Sequence, residues 1–240
     1  MLTTIDLLER ELKFSHGNKK LPKSTMIFAL PAGITCPGAK ACKSWRDPDT
    51  GKIQDGPQCE FRCYAASQEV CYPNVATKRA RNLAALQGLT IPEMVQLFQH
   101  YLNANLMRAT THVRWFESGD AFNPQLAKAL VLISHHYPEL IFYTYSKALM
   151  HWMPLLPILP DNFKLTASYG GKHDVLIDEG HFPRNSRVVF SEAEAQLLDL
   201  PIDHDDRLAW EGKDKPFALL IHGTQPKGSN ASKALRSLKD

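Results

Sequence analysis

The chain has 240 residues, 44% of them hydrophobic, and 28 Lys and Arg against 25 Asp and Glu leave a net charge of +3. That is the composition of an ordinary globular protein long enough for one large core, and no apolar run approaches the roughly 18 residues a membrane helix needs. The opening MLTTIDLLERELKF turns acidic at Asp6 and lacks an apolar h-region, which predicts no signal peptide, no membrane association and a cytoplasmic chain.

After a polar, basic stretch at 15–24, the first strand is read at TMIFALP (25–31) from its β-branched, aromatic and aliphatic residues. Residues 32–73 then hold all five cysteines: Cys36, Cys42, Cys59, Cys63 and Cys71. Disulfides rarely persist in a reducing cytosol, and an odd count fits a complete set poorly. Structural zinc favours tight C-x2-C pairs, whereas the spacings here are C-x5-C and C-x3-C, which weakens zinc. Iron–sulfur clusters accept more variable spacing. The expectation is a 4Fe-4S cluster on Cys36, Cys42, Cys59 and Cys63, with Cys71 as the spare or as the substitute for Cys59 or another ligand. Three of these ligands would leave one iron open; four would close the site. Cys59 and Cys63 would share a face if CEFRCYAAS opens a helix. The polar insertion KSWRDPDTGKIQDGPQ between Cys42 and Cys59 has no predicted structure.

Helical spacing follows over 76–87 and 91–107, with Thr90 as cap and Pro92 in the first turn. The strand HVRWFES (112–118) runs into Ser118, Gly119 and Asp120, where a carboxylate beside a glycine turn suits ribose hydroxyls, or alternatively caps a helix. A helix at 123–137 starts with Asn123 and Pro124, and the strand LIFYTYS (140–146) ends at Lys147, which would meet a carboxylate or phosphate or lie along the surface. FKLTAS (163–168) leads into SYGG, and RVVFS (187–191) into a helix over 191–200 capped by Ser191. PIDHDD (201–206) sets His204 among carboxylates, as a base, a metal ligand or a solvated loop. FALLIHG (217–223) ends at His222, the best-placed histidine, and 226–240 reads as a flexible tail.

Alternating strands and helices imply a mostly parallel sheet in a single domain, 1–240. Each strand ends in a polar or glycine-bearing cluster, the face where parallel barrels build their chemistry. The predicted fold is therefore α/β, a partial (β/α)6 TIM-like barrel with a cysteine-rich loop after its first strand. Ser118, Gly119, Asp120, Lys147 and His222 are the candidate cofactor-binding residues. KKLPK (19–23), TKRAR (77–81) and the basic tail motivate an alternative, a zinc-stabilised nucleic-acid-binding protein. A non-enzymatic iron–sulfur electron carrier is the third reading. No P-loop, nucleophile-elbow or zincin motif occurs.

LPAGITCPGAKAC (30–42), RCYAASQE (62–69), YPNVATKRARN (72–82), SGD (118–120), LTASYGG (165–171), PIDHDD and LLIHGTQPKGS (219–229) resemble the phage gene 88 protein family over nearly the whole chain after residue 20. More distantly, cysteines after the first strand, the CYA element and SGD look like radical S-adenosylmethionine enzymes. That likeness implies three cysteines on a cluster, an open iron for S-adenosylmethionine and an acidic residue on its ribose. The superfamily's C-x3-C-x2-C is absent, since Ala66 stands at the third position, so cluster binding rather than cofactor cleavage is the expectation.

Overall fold

The computed structural model describes Leu7 and residues 10–238. Residues 1–6 and 8–9, on which much of the signal-peptide reading rests, lie outside the described residues. The strands are β1 (Ser15–His16), β2 (Thr25–Ile27), β3 (Ser44–Arg46), β4 (Ile53–Asp55), β5 (His112–Trp115), β6 (Ile141–Ser146), β7 (Phe163–Ser168), β8 (Asn185–Val189) and β9 (Phe217–Leu220). Seven form one sheet in the order β1-β2-β5-β6-β7-β8-β9, and β3 pairs with β4 as a separate hairpin. Every neighbour in the large sheet is parallel except β1, which runs antiparallel on the edge. The fold is thus mixed α/β with a mostly parallel sheet, whose parallel strands follow chain order. All six predicted strands are present.

The strands stop where the backbone turns. Phe28 and Leu30 still donate to the Arg114 and Ser118 carbonyls beyond β2. Phe116 sits between these rungs at φ 59°, a left-handed value that breaks the regular ladder. Register decides which side chains share a face. Met26, Val113, Phe142 and Phe163 are successive partners, and with Phe28, Trp115 and Leu165 they form one apolar face. Helices α3 (Ile91–Asn105) and α4 (Pro124–His136) cover it through Met94, Leu97, Phe98, Leu126, Leu130 and Ile133. Each such large side chain contributes about 1.5–3 kcal/mol by leaving water.

The helix starts predicted at Thr90, Asn123 and Ser191 are present, while the helix after Ser191 stops at Leu197 rather than 200. The Glu93 carboxylate accepts from the Thr90 amide (2.7 Å), Asn123 Oδ1 from the Leu126 amide (2.8 Å) and Ser191 Oγ from the Glu194 amide (3.1 Å). Before α3, a bent pair, α1 (Tyr64–Cys71) and α2 (Pro73–Leu86), meets at extended Tyr72. Downstream come α5 (Leu149–Trp152), a 3-10 turn over Met153–Ile158, α6 (Val175–Asp178), α7 (Glu192–Leu197), α8 (Arg207–Trp210) and α9 (Asn230–Ser237). Within the predicted flexible tail, α9 is a regular helix capped by Ser229 Oγ. No helix among the described residues is long and apolar enough to cross a membrane.

Candidate metal centre

The cysteine segment is not one loop. It contains the β3–β4 hairpin, formed by the polar insertion, and helix α1. It lies across the polar ends of the parallel strands. After β5, Glu117 O accepts from Tyr64 Oη, and Ser118 Oγ points to the Glu69 carboxylate (3.5 Å). After β6, Gly38 packs so tightly on Lys147 that a Cβ there would lie 1.8 Å from the Lys147 carbonyl oxygen. After β7, Gly170 O accepts from the Lys40 and Ala41 amides. After β8, Phe190 meets Phe61 edge-on at 6.2 Å. After β9, Gln225 clamps Arg62 through both its amide (2.7 Å) and its carbonyl (2.9 Å). The chain beyond five of the parallel strands therefore contacts this segment, which itself leaves the end of β2.

Cys42 is the hub of the thiols. It is within electrostatic reach of Cys36, Cys59 and Cys63, and Cys63 also bears on Cys36. Burial pushes the Cys36 thiol well up, with Asp120 adding to the rise, and pushes Cys59 and Cys63 up to about 11. The amides of Ala65 and Ala66 at the start of α1 oppose the rise at Cys63, as does Arg79, although no capping bond to its sulfur is made. Cys59 stands further out: it senses Cys42 alone among the thiols, and its Sγ donates to Phe61 O (3.2 Å). Cys71 is exposed at the far end of α1. Among the described residues no three His, Cys, Asp or Glu side chains stand in ligand geometry around one point. The thiols are gathered but not drawn into a closed cage.

Buried polar side chains hold this arrangement. Arg79, 2% exposed, donates to Glu69 Oε1 (3.0 Å), Ala65 O (3.0 Å) and Gln68 Oε1 (2.9 Å). Glu69 in turn accepts from the Ala32 amide (2.8 Å), tying α1 to the strand end that precedes Cys36. Asn82 bonds Ala29 O and both backbone groups of Lys13. Lys43 Nζ donates to Gly33 O and Cys36 O, and Ser44 Oγ accepts from the Cys63 amide (2.8 Å). The RCYAASQE and TKRARN motifs are thus a brace for the cysteines.

The sequence profile described as gene product 88 matches residues 7–238. The chain belongs to the gene product 88 family. No curated protein and no solved structure matches it, so the distant likeness to radical S-adenosylmethionine enzymes gains no support.

In this gene product 88 chain the remaining predicted site residues have mostly local partners. Asp120 is buried, and its carboxylate accepts from Ser146 Oγ (2.7 Å) and from the amides of Ala121 (2.8 Å), Lys147 (2.8 Å) and Ala148 (3.1 Å). Burial still raises its pKa against these four donors. It anchors the β6–α5 turn and has no lone pair left aimed at ribose. Gly119, at φ 80°, lets the backbone pass Thr35 Oγ1, which a Cβ would approach to 2.5 Å. Lys147 Nζ donates to Ser168 Oγ. His222 is exposed as a residue, yet desolvation of its ring, then Lys20 and Arg114, pull its pKa down to about 4; it packs on Tyr64 at 4.5 Å.

Two expectations are corrected. Cys59 and Cys63 do not share a helix face, because α1 begins only at Tyr64: extended Cys63 precedes it, and the Glu60 and Phe61 amides bond Ala41 O instead. TKRAR is not a free basic stripe, since Arg79 is spent on Glu69 and Lys78 on Ser15. A cleft of about 740 Å3 beside Lys19, Lys20 and His112 opens at the opposite strand ends, away from the cysteines. Reading the sequence missed Tyr64, Glu69, Arg79 and Arg114. An acidic residue in a motif with an arginine ten positions on was the only signal for the Glu69–Arg79 pair.

Proposed function

We propose that the chain is an iron–sulfur protein whose cluster is held by Cys36, Cys42 and Cys63, with Cys59 as an outlying fourth ligand. The observation that supports this reading is that Cys36, Cys59 and Cys63, from the two stretches on either side of the β3–β4 hairpin, all lie within electrostatic reach of Cys42. The gathered donors are all thiols, and soft thiolate sets select zinc, copper(I) or iron–sulfur centres. Partial burial and the amides near Cys63 suit a cluster, whose potential is set by exposure and by N–H groups near sulfur. When bound, such a group supplies one-electron transfer. This chain's residues hold the thiols together, limit water and place the Arg79 charge near Cys63. S-adenosylmethionine has no comparable support, because Asp120 is already saturated by four donors.

The fold reading goes with it. Tyr145 on β6 and Phe217 on β9 are three strands apart, yet their rings lie 6.1 Å from each other. Strands are about 4.8 Å apart and side chains stand off the sheet, so this contact supports a sheet curled towards a partial barrel.

The test is anaerobic purification with metal analysis and optical spectroscopy. The expected protein is brown, with broad absorbance near roughly 400 nm and about four irons per chain, as thiolate-ligated cubane clusters give. Cys36→Ser, Cys42→Ser and Cys63→Ser each lose iron, while Cys71→Ser keeps it. A colourless protein holding one zinc overturns the proposal.

A further inference from the structure

The cleft at the opposite strand ends has a volume of about 740 Å3, within the range of roughly 300–1,000 Å3 that small-molecule sites occupy. One wall is the loop between β1 and β2, with Lys19 and Lys20; the other is α8, with Arg207 and Trp210. His112, the first residue of β5, also lines it.

The lysine loop is held in shape. Gly17, at φ 63°, turns the chain, and its amide donates to Thr25 O (2.9 Å). Asn18 Oδ1 accepts from the amides of Lys20 (2.8 Å) and Leu21 (2.9 Å), and its Nδ2 donates to Glu117 Oε1 (3.1 Å). Leu21 is buried, which pins the loop to the core beside two exposed lysines. Neither ammonium has a hydrogen bond or an ion pair among the described residues. Across the cleft, Arg207 is paired with Asp205 (3.2 Å), so the two lysines outweigh the one remaining carboxylate, Glu211.

The facing wall is aromatic. The Trp210 ring lies against the His112 ring at 4.3 Å and 55°, and it stays half-buried, with surface left in the cleft. Burial lowers the His112 pKa, so the ring behind Trp210 is neutral at pH 7 and adds no charge. A ligand that uses both walls needs an anionic group for the ammonium groups and a flat ring for the indole. Lysine holds phosphate as a point charge, and aromatic side chains stack on any nucleobase.

We propose that this cleft binds a nucleoside phosphate, with its phosphate on Lys19 and Lys20 and its base on Trp210. That unit occurs both as a free nucleotide and within a single strand. The site is built from the β1–β2 loop, β5 and α8, so it stands whether or not the cysteines hold a metal.

The experiment is calorimetric titration of the full chain as purified with AMP, UMP and a short oligothymidylate, with adenosine and inorganic phosphate as the two halves of the ligand. Saturable binding of a mononucleotide or of the oligonucleotide is expected, with both halves weaker. Tighter mononucleotide binding identifies the free form as ligand; tighter oligonucleotide binding that falls steeply with salt identifies the strand. The double variant Lys19→Gln/Lys20→Gln and Trp210→Leu each weaken binding about tenfold or more, while Trp210→Phe retains most of it. The lysines are exposed, so their variant keeps the fold, and circular dichroism checks both. Three results overturn the assignment: no saturable binding of any nucleoside phosphate, adenosine or phosphate bound as tightly as AMP, or affinity unchanged by either folded variant.

Discussion

Replacing Arg79 with Met tests the brace beneath the cysteines. Met keeps much of the length but removes the guanidinium and its bonds to Glu69, Ala65 O and Gln68. Glu69, 3% exposed, then keeps only the Ala32 amide and the long Ser118 contact. Breaking a buried ion pair on one side costs about 3–5 kcal/mol, because the other charge stays buried without compensation. Against a total stability of about 5–15 kcal/mol, that is a large share. Urea denaturation followed by circular dichroism at pH 7.5 reads it directly. The cost also has a pH signature. Burial raises the Glu69 pKa above its usual value, and removing Arg79 raises it further. A carboxyl with a raised folded pKa contributes its stability fully below the unfolded value and loses it as pH rises through the folded value. The Arg79→Met penalty is therefore smaller at pH 5.5 than at pH 7.5. Adding Glu69→Gln removes the stranded charge and recovers about 1–3 kcal/mol. A penalty below about 1 kcal/mol, or one that does not change between the two pH values, refutes the brace.

Three further outcomes follow from the same contacts. Gly38→Ala places a methyl against the Lys147 carbonyl, so the cysteine segment lifts from β6; limited proteolysis then cuts between 36 and 59, and metal content falls. Asp120→Asn cannot accept from all four donors and costs about 2–3 kcal/mol in urea, since buried groups left unpaired are penalised. Burial pushes the Cys59 and Cys63 thiols up to about 11, above the usual thiol value, so metal-free protein is destabilised as pH rises from 9 to 11, and Cys63→Ser flattens that loss measured at fixed urea.

Much of the fold is a local property of the chain. Runs such as FKLTAS and LIFYTYS are strands because their residues are branched or aromatic, and Asn123-Pro124 or Ser191 start helices because their oxygens satisfy the first free amides. The polar strand ends were equally legible, since side-chain chemistry is written in order along the chain. The gathering of cysteines was legible only as proximity in sequence. Their grouping around Cys42, the outward place of Cys59 and the isolation of Cys71 come from how α1 turns away at Cys63 and how the hairpin folds back. Tertiary packing also reassigned Asp120 and Arg79. A carboxylate and a guanidinium look like surface or ligand groups in a sequence, but once buried each must be paired, and the partners here, Ser146 and Glu69, stand on other segments of the fold. The KKLPK run was legible as basic, yet its cleft was not, for a related reason. Trp210 lies near the other end of the chain and joins Lys19 and Lys20 in one cleft only once α8 packs beside His112.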